Sequence, residues 1–222
     1  MTLLRRLPLA TYVPRIGLCK VLCLWLLCAI APVWAVAAPL KLVAIGDSLT
    51  HGFGLPPADG FVPQLEAWLR AEGREVEVVN MGVSGDTTDG GRARIDWALA
   101  DGGDAVIVWL GGNDLLRGID PARSRDNLAA MAEVVRGKGL PLLLISMEAP
   151  LNYGPEFKAA FDGMYGLVAE QADALLLEDA FDGLVGTGLM QADGIHPNKD
   201  GVAQIVDVVG PKALELLDRV AE

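Results

Sequence analysis

Cysteine is missing from the chain after Cys28. All three cysteines, Cys19, Cys23 and Cys28, lie near the N-terminus of a 222-residue sequence. The remainder therefore has no disulfide framework and no thiolate for catalysis or metal binding. Histidine is almost as scarce, with only His51 and His196. That argues against a histidine-based metal site and leaves two candidates for a general base; no metal and no other cofactor is expected. Positive charge is short as well. The 18 Lys and Arg face 29 Asp and Glu, for a net charge of −11, which disfavours nucleic acid or an anionic membrane surface as partner. Repeats, low-complexity tracts and linkers are absent after residue 40.

The segment without acidic residues, before Asp47, has a pattern of its own. Arg5, Arg6, Arg15 and Lys20 precede an apolar run over 21–36 that ends in Ala35-Val36-Ala37-Ala38. Basic, apolar and then small residues in that order spell a secretory signal peptide. Small side chains at −3 and −1 put the cut after Ala37, whereas a cut after Ala38 would leave Pro39 directly behind the break. The run also approaches the ~20 residues that span a bilayer, so a retained anchor is the alternative. Leu27 before Cys28 is too bulky for lipoprotein processing. Arg5-Arg6 stands well before the run with two further basic residues between, unlike a twin-arginine signal. The expectation is Sec export to the periplasm or the medium. Losing 1–37 removes four basic residues and no acidic one, so the net charge becomes −15. Residues 38–222 then form one domain with enough core to need no disulfide.

From residue 41 short apolar runs alternate with helical patterns. Strands are expected at 41–45, 75–79, 105–110, 140–146 and 174–177, and helices at 61–71, 87–99, 120–136, 155–171 and 199–220. Strands separated by helices imply parallel neighbours joined by crossovers, hence an α/β three-layer α/β/α sandwich on a five-stranded parallel sheet. Such sheets bind ligands at the carboxyl ends of their strands.

Polar, glycine-rich sets follow four of those ends. They are Gly46-Asp47-Ser48-Leu49, then Asn80-Met81-Gly82-Val83-Ser84-Gly85-Asp86, then Gly111-Gly112-Asn113-Asp114, and near the chain end Asp193-Gly194-Ile195-His196-Pro197. Ser48 at a helix start has its hydroxyl beside free backbone N–H groups, although a serine there also serves as a plain helix cap. Gly82 lets a backbone N–H approach a ligand, or merely makes a turn. Asn113 offers amide hydrogens to an oxyanion, or closes its loop. Asp193 three residues before His196 lets a carboxylate fix the imidazole tautomer while the other ring nitrogen faces a serine; a solvated surface histidine is the alternative. His51 lies about one helical turn from Ser48 with no acid spaced to orient it, and is assigned to the site periphery. Asp47 and Asp114 are assigned to holding their loops by hydrogen bonds.

Taken together, in this order and spacing, these four blocks resemble the GDSL, or SGNH, hydrolase family over essentially the whole chain after residue 37. The stretches 80–88, 149–154 and 193–198 are most similar to its bacterial periplasmic thioesterase I, lysophospholipase L1 and arylesterase branch. The resemblance implies a flavodoxin-like fold and a serine esterase acting on carboxylic esters or thioesters. It implies Ser48 as nucleophile, Asp193 and His196 as its partners, and an oxyanion hole of the Ser48 and Gly82 N–H groups with the Asn113 side chain. Leu115, Leu151, Tyr153 and Phe157 are candidates for an apolar groove that binds an acyl chain or aryl group of a small-molecule substrate; ordinary packing is the alternative for each.

Other classes fit less well. A carbohydrate O-acetylesterase of the same fold is the main competitor among esterases. A non-catalytic lipid-binding relative would usually lack one of the three chemical residues. A nucleotide-binding protein would need a phosphate loop, and neither common pattern is present. The α/β-hydrolase elbow is disfavoured because Thr50 stands where its second glycine belongs.

Overall fold

The computed structural model describes residues 38–184 and 186–220. The signal-peptide reading falls on 1–37 and lies outside the described residues. Five strands, β1 (Leu40–Gly46), β2 (Val76–Gly82), β3 (Ala105–Trp109), β4 (Leu142–Ile145) and β5 (Leu175–Leu177), form one sheet. All pairings are parallel, in the order β2-β1-β3-β4-β5. The helices are α1 (Ser48–His51), α2 (Phe61–Ala71), α3 (Thr88–Ala98), α4 (Gly112–Leu116), α5 (Pro121–Gly137), α6 (Pro155–Ala172) and α7 (Lys199–Asp218), with 3-10 turns at Pro57–Asp59 and Leu151–Tyr153.

The layering follows from the period-two alternation of strand side chains. Ala105, Ile107 and Trp109 point to one face with Leu42, Ala44, Leu143 and Ile145, and meet Phe61, Leu65 and Leu69 of α2 and Ile205, Val206 and Val209 of α7. Val106 and Val108 point to the other face with Val43, Ile45 and Leu144. There they meet Ile95 of α3, Leu128, Met131 and Val135 of α5, and Phe161, Met164 and Val168 of α6. Both faces are dry because helices cover both, which is why β3 is apolar at every position. The expected three-layer sandwich is the one observed.

Element ends moved by a residue or two, with one informative exception. β2 runs to Gly82 instead of stopping near residue 79. The sequence Asn80-Met81-Gly82 has little strand propensity, yet it continues the ladder because it lies beside β1, with Ala44 opposite Asn80 and Gly46 opposite Gly82. Asn113, expected in the loop after β3, sits in the short helix α4. The strand order reverses about β1: the chain adds β2 on one side and then crosses to add β3 on the other. The crevice at that reversal lies between the ends of β1 and β3. Ser48 and Asn113 follow those two ends.

Candidate active site

α1 begins right after β1, and its start is held by Asp47. The Asp47 carboxylate accepts the Leu49 N–H at 3.0 Å, which makes Asp47 the helix cap. Ser48 is the first helical residue, so its hydroxyl is free of capping duty. Instead it lies 2.8 Å from Nε2 of His196, across 148 positions of sequence. Gly52, at φ 86°, ends the helix by donating to the Ser48 carbonyl.

His196 is carried by a loop that is closed on itself. Met190 and Pro197 form an antiparallel bridge, and the Gln191 N–H donates to the His196 carbonyl at 2.7 Å. The Gln191 side chain donates to the carbonyls of Phe53 and Pro197, pinning this loop to the one after α1. Asn198 then caps α7. Within the loop Asp193 turns back on its own segment. One carboxylate oxygen accepts the Ile195 and His196 N–H groups at 2.9 and 3.0 Å, and the other lies 2.7 Å from His196 Nδ1. The His196 backbone donor is the largest of the influences that pull the Asp193 carboxyl down to about 2, followed by the imidazole and the Ile195 N–H. Such a carboxylate is ionised and only accepts. Nδ1 of a neutral His196 therefore carries the hydrogen, and Nε2 presents its lone pair to Ser48. Phe53 packs on the imidazole with ring centroids 4.7 Å apart.

Gly82 closes the site from the β2 side. A Cβ there would lie 2.3 Å from the His51 nitrogen and 2.8 Å from the carbonyl carbon of Thr50, so only glycine allows β2 to approach α1 so closely. Its N–H donates to the side-chain oxygen of Asn80 at 2.9 Å. Arg94, on α3, ties the strand ends together: its guanidinium donates to the Met81 carbonyl, the Gly46 carbonyl and the Asp86 carboxylate. Nothing in the sequence marked this arginine, because it joins the end of β1 to the end of β2 and the segment that follows it, and that pairing has no local pattern.

From the β3 side, Gly111 adopts φ 121°, and a Cβ on it would collide with the Tyr165 hydroxyl. It places α4 so that Asn113 donates one amide hydrogen to Asp47 at 3.1 Å. Asp114 is fully buried, accepting from the Thr88 N–H and hydroxyl and from the Ser124 hydroxyl. It thereby holds α4 against the starts of α3 and α5, as expected of a loop-holding residue.

Asp47 is only 3 % exposed, and its burial, more than its hydrogen bonds can offset, pushes its carboxyl up to about 6 from 3.8. An acid whose folded value is raised binds a proton in the native state that the unfolded chain has already lost between pH 4 and 6. Native stability therefore falls as pH rises through that window, by about 3 kcal/mol for this one group. The difference in unfolding free energy between Asp47→Asn and wild type should thus move by about that amount in the variant's favour from pH 4 to pH 7. Urea titrations at both pH values measure it, and a difference that stays constant contradicts the burial argument.

A cleft of about 550 Å³ opens above these residues, lined by Ser48, His196 and Asn113 and walled by Phe53, Leu115, Met147 and Ile195 among others. Of the groove candidates only Leu115 lines it. Leu151, Tyr153 and Phe157 do not. Tyr153 donates its hydroxyl to the Leu115 carbonyl at 2.8 Å and stacks on Phe157, so these two rings buttress the wall from behind, and Leu151 projects into solvent. Phe53, Met147 and Ile195 were missed because they lie on three different loops with no shared spacing. His51 stands outside the cleft, its Nδ1 3.0 Å from the Ser84 hydroxyl. Among the described residues no group of three or more His, Cys, Asp or Glu is placed to hold a metal ion.

A serine, an imidazole and a carboxylate in hydrogen-bonded series at the strand ends of a parallel sheet define the class, a serine hydrolase, and its family and relatives make it an enzyme that cleaves carboxylic esters. The chain belongs to the GDSL-like lipase/acylhydrolase family, whose model matches residues 44–204. It is 42% identical over 183 residues to the esterase TesA of Pseudomonas aeruginosa, covering 82% of this chain and 91% of that one. It is 33% identical to the thioesterase 1/protease 1/lysophospholipase L1 of Escherichia coli, covering 77% and 82%. The crystal structure of the psychrotrophic esterase EstA from a Pseudoalteromonas species, inhibited by monoethylphosphonate, superposes with a TM-score of 0.76 at 28% identity, covering 80% of this chain and 98% of that one.

Proposed function

We propose that Ser48 is the nucleophile of an acyl-transfer cycle, that Asp193 and His196 are its partners, and that the substrates include aryl esters, acyl thioesters and lysophospholipids. The observation that carries the reading is the unbroken series Asp193–His196–Ser48, at 2.7 and 2.8 Å. His196 Nε2 takes the Ser48 proton as Oγ attacks the carbonyl carbon. The imidazolium so formed is stabilised by the ionised Asp193. His196 then delivers that proton to the departing alcohol or thiol, leaving an acyl-serine that water opens by the same steps in reverse roles. The carbonyl oxygen, turned negative in between, meets the Ser48 N–H, the second amide hydrogen of Asn113 and the Gly82 N–H, which it takes over from Asn80. The Ser48 N–H belongs to a first helical turn and has no acceptor within the helix.

The relatives named esterase and thioesterase/lysophospholipase support both ester and thioester substrates. The basic, apolar and small-residue order of 1–37 supports export, cleavage after Ala37 and a mature domain of 38–222 in the periplasm or medium. A fluorophosphonate probe tests the nucleophile. It should modify Ser48 stoichiometrically, with activity lost in proportion, and active protein that resists the probe or carries it elsewhere would remove the assignment.

A further inference from the structure

Each of the five segments that follow a strand holds one large apolar side chain out in solvent: Phe53, Val83, Leu116, Leu151 and Ile195, between 45 % and 76 % exposed. The other exposed large apolar residues among those described, Trp97, Leu167 and Val208, are single residues on α3, α6 and α7. Scattered exposed residues need no explanation, but a group on one face does. These five share the carboxyl end of the sheet. Phe53, Leu116 and Ile195 also line the cleft that ends on Ser48, and Val83 and Leu151 adjoin its lining residues Ser84 and Pro150. The apolar ring is thus continuous with the walls of the site.

We propose that this ring docks the enzyme on the surface of an uncharged or zwitterionic amphiphile assembly, a micelle or bilayer, from which an acyl ester passes directly into the cleft. Two observations select this occupant. The ring surrounds the cleft mouth, so a protein partner or second copy seated on it would close Ser48 off, whereas an amphiphile surface delivers substrate there. Exposed carboxylates, Asp120, Glu148, Asp179 and Asp193, lie in three of the five segments, and Arg117 is the only Lys or Arg in any of them, so an anionic surface is repelled. The inference rests on the hydrolase reading above but goes beyond it, since an esterase needs no such collar for soluble substrates.

The test compares the full chain with Val83→Ser/Leu151→Ser, two substitutions outside the cleft lining. On monomeric p-nitrophenyl acetate both proteins should have kcat/KM values within about twofold, in keeping with surface changes away from the chemistry. On p-nitrophenyl decanoate carried in dodecylphosphocholine micelles, the variant should need about tenfold more micelle for half-maximal rate, from the apolar area it no longer buries. Admixing phosphatidylglycerol into phosphatidylcholine vesicles should weaken binding of the wild type. Equal micelle dependence of the two proteins overturns the proposal. So does a wild-type dimer that the double substitution dissociates, because the ring would then belong to a second copy. A wild type inactive on the monomeric ester would instead remove the hydrolase reading, so the two failures are distinguishable.

Discussion

Ser48→Ala should lower ester hydrolysis by about 10⁵-fold or more, the scale on which removal of a serine nucleophile acts, while leaving the melting temperature nearly unchanged. The second half of that expectation separates chemistry from structure. A serine at a helix start is often the cap, and its loss then costs about 1 kcal/mol. Here Asp47 performs that task through the Leu49 N–H, and Ser48 spends its hydroxyl on His196. Alanine at 48 therefore removes no cap. His196 keeps Asp193, and its side chain is 16 % exposed, so water can replace the lost hydroxyl. Parallel rate and thermal-melting measurements decide the matter. Residual activity near that of the wild type would end the assignment, and a collapsed melting temperature would show that the serine supports the fold.

Gly82→Ala should lower kcat by about 10²–10³, the usual consequence of losing one oxyanion donor, with KM little altered. The cause is space. Gly82 lies in extended strand, with no positive φ to demand glycine, but an added methyl would sit 2.3 Å from a backbone nitrogen of α1. A backbone cannot yield as a flexible side chain does, so α1 and β2 must part, and the Gly82 N–H is carried away from the position proposed for it as an oxyanion donor. An interaction made only in the transition state appears in kcat. Steady-state kinetics on a soluble ester measure the split. Activity within threefold of wild type would mean that the Gly82 N–H contributes nothing to the rate.

The pH dependence of stability has a different origin from that of the triad. Asp193 is held low by donors that only the folded loop brings to it, whereas Asp47 is raised by burial beneath the site. Two carboxylates within one site are driven in opposite directions, the partially exposed one by hydrogen bonds and the buried one by desolvation.

Much of this protein was legible in its residues. Alternating apolar runs and helical patterns sufficed for the parallel sheet, because an all-apolar strand such as Ala105–Trp109 has no stable place except between two layers of helix. The four glycine-rich blocks pointed to the strand ends because close backbone approach and small turns leave composition marks that a single chain can show. The reach of β2 to Gly82 was not legible, since weak strand formers were drawn into the ladder by β1 alongside. Nor was the ordering role of Arg94, which ties the nearby Met81 and Asp86 to Gly46, 48 positions away. The cleft wall was not legible at Tyr153 and Phe157: an aromatic pair close to a site looks the same in sequence whether it faces the cleft or supports it from behind. Local pattern determines which chemistry is present and on which elements, because helix and strand periods are properties of neighbouring residues. Only the tertiary structure decided which side chains face one another across the cleft, because those contacts depend on the register and packing of segments that the chain brings together from far apart.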